Sequence, residues 1–133
     1  MAYFEWGDDL TVGNEFLDSD HQKLISLVNQ LHTATQQGEG RTVVGEILDE
    51  LLDYTKDHFQ REESHMQRIS YADYAAHKSE HVSLVNEVMA LKAQFDTGNI
   101  SVAAKVSQLL REWLSVHIMK TDKAFAVRLN AAT

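Results

Sequence analysis

The sequence has no cysteine and no proline, and only six glycines in 133 residues. The first absence removes disulfides, thiolate metal sites and iron–sulfur ligation. The second, with so few glycines, leaves hardly any helix breaker and favours an all-helical fold. Basic residues are also scarce: 12 Lys and Arg stand against 20 Asp and Glu, a formal net charge of −8. Phosphate backbones are recognised by clustered cations, so no nucleic-acid partner is expected. No apolar run approaches the roughly 18 residues a membrane span needs. The opening "MAYFEWGDDL" lacks the basic start and apolar stretch of a secretory signal. A cytoplasmic protein with no membrane partner is the simplest expectation. The 44% hydrophobic content and the chain length suit one domain over residues 1–133 with one sizeable core.

What is present is helical periodicity, in four stretches. A mixed arm covers residues 1–17. The first stretch opens with Asp18 and Ser19 as candidate N-caps, carries Leu24, Ile25, Val28 and Leu31 on one face, and closes at Gly38. The second runs from about Thr42 to about Ile69, with Val44, Ile47, Leu48, Leu51 and Tyr54 inward. The third, about 73–96, carries Tyr74, Leu84, Val88, Leu91 and Phe95, and Gly98 ends it. The fourth starts near Ser101 and follows Val102, Val106, Leu109, Leu110 and Trp113. Helices of roughly 20 residues joined by short links predict an antiparallel up-down-up-down four-helix bundle preceded by an N-terminal arm.

The stripes are ordinary; the residues interrupting them are not. His21, His58, Glu62, His77, His81 and His117 all fall on apolar faces. In "HKSEH", His77 and His81 lie about 40° apart on one helix face, while Lys78 and Glu80 point elsewhere. One histidine on an apolar face is more often a hydrogen-bonded core residue than a ligand. Six polar groups spread over four helices are costly to bury unless something satisfies them. Chain direction agrees, because in an antiparallel bundle all six positions fall at the same end. Imidazole suits iron, zinc, copper or nickel, and no oxygen-only cage for calcium or magnesium is present. Zinc takes about four ligands, so this many convergent donors fit two metals with bridging carboxylates better. A second bridging carboxylate is available in Asp122, five residues after His117. That step is about 140° on a regular helix, so Asp122 needs a π-bulge or a helix end to swing inward.

A histidine in "LDSDH", then "HFQRE", "HKSEH" and "HIMKTD" resembles the hemerythrin family, its bacterial branch in particular. Trp6, Val12, Gly13, Asp18 and Phe59 match the same frame, and Ala72 departs from it where relatives often carry proline. The resemblance implies a non-haem di-iron centre that binds O2 reversibly, for carriage, storage or delivery. By position, His77, His81 and His117 hold one iron and His21 and His58 the other. Glu62 and Asp122 bridge both, with an oxo or hydroxo group as third bridge. Five imidazole nitrogens, four carboxylate oxygens and that shared bridge leave one octahedral position open, on the iron with two histidines.

Alternatives remain at this level. A di-iron redox enzyme (a peroxidase, or an NO- or O2-reducing protein) needs an electron or proton route, and no flavin or nicotinamide motif appears. An oxygen or iron sensor normally carries an output domain. Five neutral nitrogens favour O2 binding over oxygen activation, so a non-enzymatic function is expected, with an oxygen-accepting protein as its unknown recipient. An oxygen pocket needs a dry lining. Leu114, three residues before His117, is the sharpest candidate, with Trp113, Phe59 and Ile118 able to complete it. His32 and His65 are expected at the surface, as is Glu63. Met66 and Phe95 are expected in the core. Asp20 resembles the acidic neighbour that many relatives carry beside the first ligand.

Overall fold

The computed structural model describes residues 3–132. Asn14 opens the first helix: its side chain accepts from the Leu17 backbone N–H at 3.1 Å, and α1 runs Glu15–Gln36. Asp18 and Ser19, the expected caps, are therefore already inside α1. Asp18 instead accepts from the Val12 N–H at 2.9 Å and ties the arm back onto the helix. The remaining helices are α2 (Arg41–Arg68), α3 (Tyr74–Asp96) and α4 (Val102–His117). A π turn, Ile118–Asp122, joins α4 to α5 (Lys123–Ala131). Gly38 and Gly98 follow α1 and α3 with φ of +68° and +113°, left-handed conformations that cost a Cβ-bearing residue more. A 3-10 turn at Asp8–Leu10 is the arm's regular element, and no strand occurs among the described residues.

The architecture is the all-α four-helix bundle. α1 packs on α2 and α4, and α3 packs on the same two neighbours. Short connections make successive helices antiparallel. The arm closes over α1 through a reciprocal pair, Phe4 N–H to Asn29 Oδ1 and Asn29 Nδ2 to Phe4 O, both 2.8 Å. Asn130 holds the chain's other end to it, donating to the Gly13 carbonyl at 2.9 Å.

Burial divides the interior along its length. Away from the arm's entry, Leu31, Ala34, Val44, Leu48, Phe95, Val102, Ala103 and Val106 are buried together. Each Leu, Val or Phe there contributes about 1.5–3 kcal/mol. Toward the other end, where α1 and α3 begin and α2 and α4 finish, the buried residues include five histidines, Glu62 and Asp122. None of these seven exceeds 3% exposure.

Candidate metal centre

His21 sits near the start of α1, His58 and Glu62 one turn apart in α2, and His77 and His81 one turn apart in α3. His117 is the last residue of α4. The π turn that follows widens the helix by one residue and brings Asp122 back beneath His117, with Asp122 Oδ1 3.0 Å from His117 Nε2. The awkward five-residue step is thus accommodated by backbone geometry.

The donors form two groups. In the first, Glu62, His77, His81, His117 and Asp122 offer atoms within 4.8 Å of one another; in the second, His21, His58 and Glu62 do the same. Glu62 Oε1 lies 2.7 Å from His77 Nε2 and 3.4 Å from His81 Nε2. Its other oxygen, Oε2, lies 3.1 Å from His58 Nε2. Asp122 divides in the same way, with Oδ1 3.0 Å from His77 Nε2 and Oδ2 2.9 Å from His21 Nε2. Each carboxylate therefore gives one oxygen to the three-histidine group and one to the two-histidine group.

These contacts are close without being good hydrogen bonds. His21 Nε2, both Glu62 oxygens and Asp122 Oδ1 are buried with no hydrogen-bond partner among the described residues. His117 Nε2 lies 3.1 Å from His77 Nε2 and 3.2 Å from His81 Nε2. Three imidazole nitrogens and two carboxylate oxygens thus face one small volume. Such a set repels itself unless protons or a cation sit among it. With a metal–nitrogen bond of about 2.1 Å, adjacent ligands of an octahedron stand about 3.0 Å apart. The spacing and the orphaned donors fit metal ions.

The outward imidazole nitrogens are held from behind. His58 Nδ1 donates to Asp20 Oδ2 at 2.8 Å, His81 Nδ1 to Glu63 Oε2 at 2.8 Å, and His117 Nδ1 to Glu80 Oε1 at 3.1 Å. Among the described residues, His21 Nδ1 and His77 Nδ1 have no such partner. Asp20 also accepts from Tyr54 OH at 2.7 Å and Arg61 at 3.0 Å. Its burial works against the charged form, but these donors together hold its carboxyl well below the usual range. Tyr54, desolvated and bonded to that carboxylate, is pushed up to about 12. Without metal, burial disfavours a charged His58, yet Asp20 and Glu62 overcome it and raise His58 to about 9. His77 is raised to about 9 by the same balance, with Asp122 and Glu62 as partners. Glu62 and Asp122 both move down: burial opposes this, and the surrounding imidazole donors prevail.

The other candidates fall as follows. Leu114, Ile118 and Phe59 are buried, and Trp113 is half-buried against the core. Phe59 stacks on His81 with ring centroids 3.8 Å apart, and Trp113 stacks on His117 at 4.2 Å. Both aromatic rings therefore back the three-histidine group. Met66 and Phe95 are core residues, as expected. His32 and His65 are half-buried rather than freely solvated: His32 stacks on Tyr3 at 3.7 Å, and His65 lies against Phe16. Glu63, expected in solvent, is bonded to His81 instead; Glu80 points away from the His77–His81 face, as expected, and there meets His117 of the neighbouring helix. The signal for both lay in their places directly beside Glu62 and His81, one residue round the helix toward a neighbour.

Residues 12–129 match the family model of the hemerythrin HHE cation-binding domain. The chain is 40% identical over 132 residues to the bacteriohemerythrin of Methylococcus capsulatus, covering 98% of this chain and all of that protein. It is 36% identical over 131 residues to the bacteriohemerythrin of Stenotrophomonas maltophilia, covering 98% of this chain and 84% of the relative. A solved structure of wild-type hemerythrin superposes with a TM-score of 0.90 at 36% identity, covering 96% of this chain and 98% of that one. With the donor set gathered at one end of the bundle and these likenesses running nearly its whole length, the chain belongs to the hemerythrin family.

Proposed function

We propose that this protein binds O2 reversibly at a non-haem di-iron centre, for carriage, storage or delivery. In this reading His77, His81 and His117 would hold one iron, His21 and His58 the other, and Glu62 and Asp122 would each serve both. The observation that carries it is the division of each carboxylate's oxygens between a three-histidine and a two-histidine group. When bound, the iron pair supplies reversible uptake of O2. The second group offers one histidine fewer, so an ion held there would have more room for a small ligand.

The chain's own residues do the rest. Glu62 and Asp122, both buried, set the spacing of the two groups by presenting opposite oxygens to each. Buried Leu114 and Ile118 keep water from the oxygen side, while Phe59 and Trp113 shield His81 and His117 through ring stacking. Five neutral imidazoles against two carboxylates support binding over oxygen activation, and hence a carrier in preference to an enzyme. No described helix is long and apolar enough to cross a membrane, in keeping with a cytoplasmic protein delivering O2 to an acceptor protein. Iron analysis after anaerobic loading should give two irons per chain. Stopped-flow mixing of the diferrous protein with O2 should give stoichiometric oxygenation that reverses on deoxygenation. Multiple turnover, or a fully loaded protein holding a single zinc, would overturn the reading.

A further inference from the structure

On each of the first three helices, a carboxylate stands one residue away from a donor of the metal cluster. The pairs are Asp20 beside His21, Glu63 beside Glu62, and Glu80 beside His81. A neighbouring position on a helix is turned by about 100°, so when the donor faces the bundle axis its neighbour faces an adjacent helix. Each of the three carboxylates meets there a cluster histidine one helix further along the chain. Asp20 on α1 holds His58 on α2, Glu63 on α2 holds His81 on α3, and Glu80 on α3 holds His117 on α4, at 2.8, 2.8 and 3.1 Å. The direction is the same all round the bundle.

We infer that Asp20, Glu63 and Glu80 are positioning residues for the metal centre, each fixing the imidazole that the following helix contributes. The inference rests on the metal-binding reading above. A carboxylate accepts only, so the bond places the proton on Nδ1 and leaves the Nε2 lone pair aimed into the cluster. It also fixes the ring's rotation, because the imidazole is gripped from both ends. Nδ1 of His21 and of His77 has no such support among the described residues, so these two rings meet carboxylates only at Nε2, inside the cluster. Three further contacts brace the acids themselves: Tyr54 OH and Arg61 donate to Asp20 at 2.7 and 3.0 Å, and Thr121 in the π turn donates to Glu80 at 3.1 Å. Glu80 thus joins α3 both to the last histidine and to the backbone irregularity that delivers Asp122.

The test uses Zn2+, which is diamagnetic, on the full chain. Its affinity is measured by competition with a chromophoric chelator, and the Nδ1–H protons are followed by NMR in the zinc-loaded protein. Glu63→Ala and Glu80→Ala should each weaken Zn2+ binding by about 10- to 100-fold. The slowly exchanging Nδ1–H signal of His81 should vanish in Glu63→Ala alone, and that of His117 in Glu80→Ala alone. Glu63→Gln and Glu80→Gln retain an acceptor of the same length, so they should keep the signals and recover part of the affinity. Glu87→Ala, an exposed acid two turns along α3 from Glu80, should match wild type. A purely structural role would lower thermal stability without this one-to-one loss of signals. Wild-type binding with Ala variants that match Glu87→Ala in affinity and keep both signals would overturn this inference alone. A wild-type chain that takes up no Zn2+ would overturn the metal reading and this inference with it.

Discussion

Filling the site with metal at neutral pH should expel about two protons from His58 and His77. Without metal, both are raised from 6.5 to about 9, His58 by Asp20 and Glu62 and His77 by Asp122 and Glu62, each against its burial. At pH 7 a group titrating near 9 is almost fully protonated, and a metal ion needs its lone pair. The share released by His58 and His77 should therefore be about two protons at pH 7, about half that near pH 9, and close to none by pH 11. No thiol can contribute, because the chain has no cysteine. The bridging carboxylates do not contribute either, since Glu62 and Asp122 are both shifted downward and already ionised. The linkage to stability has a definite sign. A histidine raised by folding stabilises fully below 6.5, and that stabilisation is lost as pH rises through about 9. The carboxylates, lowered by folding, stabilise above their ordinary range and lose that contribution as the solution is acidified below it. The metal-free protein should then be most stable between about pH 4.5 and 6.5 and should weaken toward pH 9, where the loaded protein gains on it. Calorimetric titration of metal into the metal-free chain, in buffers of different ionisation enthalpy, counts the protons directly. A release at pH 7 no greater than that at pH 11 would refute the protonated cluster.

Leu114→Ala removes a fully buried side chain, should cost about 2–5 kcal/mol, and should speed autoxidation and azide binding with both irons retained. Unchanged rates would mean that Leu114 does not guard the oxygen site. His21→Ala deletes one of only two imidazoles in its group and should lower iron content, whereas His32→Ala loses a stacking contact with Tyr3 and should keep its iron. Equal iron loss in both, measured by metal analysis, would misplace the first ligand. Asp122→Ala takes one oxygen from each group, so fewer than two irons per chain should survive gel filtration. Full retention would argue against a bridging role.

Most of the bundle was legible because burial imposes a period of 3.6 on each stripe, and Leu24, Ile25, Val28 and Leu31 or Leu84 and Val88 show it plainly. The same periodicity exposed the histidines as intrusions, and the misfit of Asp122 pointed to an irregular backbone where the π turn lies. Asn14, Asp18 and Ser19 have equally good capping chemistry, and only the path of the arm decides among them. The partners of Glu63 and Glu80 are hidden from the sequence for another reason. A position beside the inward stripe looks solvated on a helical wheel, and what it meets depends on the azimuth of the neighbouring helix. The surroundings of His32 are hidden similarly, since its neighbour Tyr3 lies 29 residues earlier in the chain.

The division of the interior into an apolar length and a donor-filled length has a consequence for local unfolding. Around Leu31, Leu48, Phe95 and Val106, contacts are satisfied by hydrocarbon and persist whatever occupies the other end. Around Asp122, the backbone leaves regular α-helix and the interior is filled by polar groups whose contacts depend on their protonation. Amide hydrogens from Ile118 to Phe125 should therefore exchange through small openings in the metal-free chain, while those near Leu48 and Val106 should exchange only through global unfolding. Metal would then enter a bundle already closed at one end and breathing at the other.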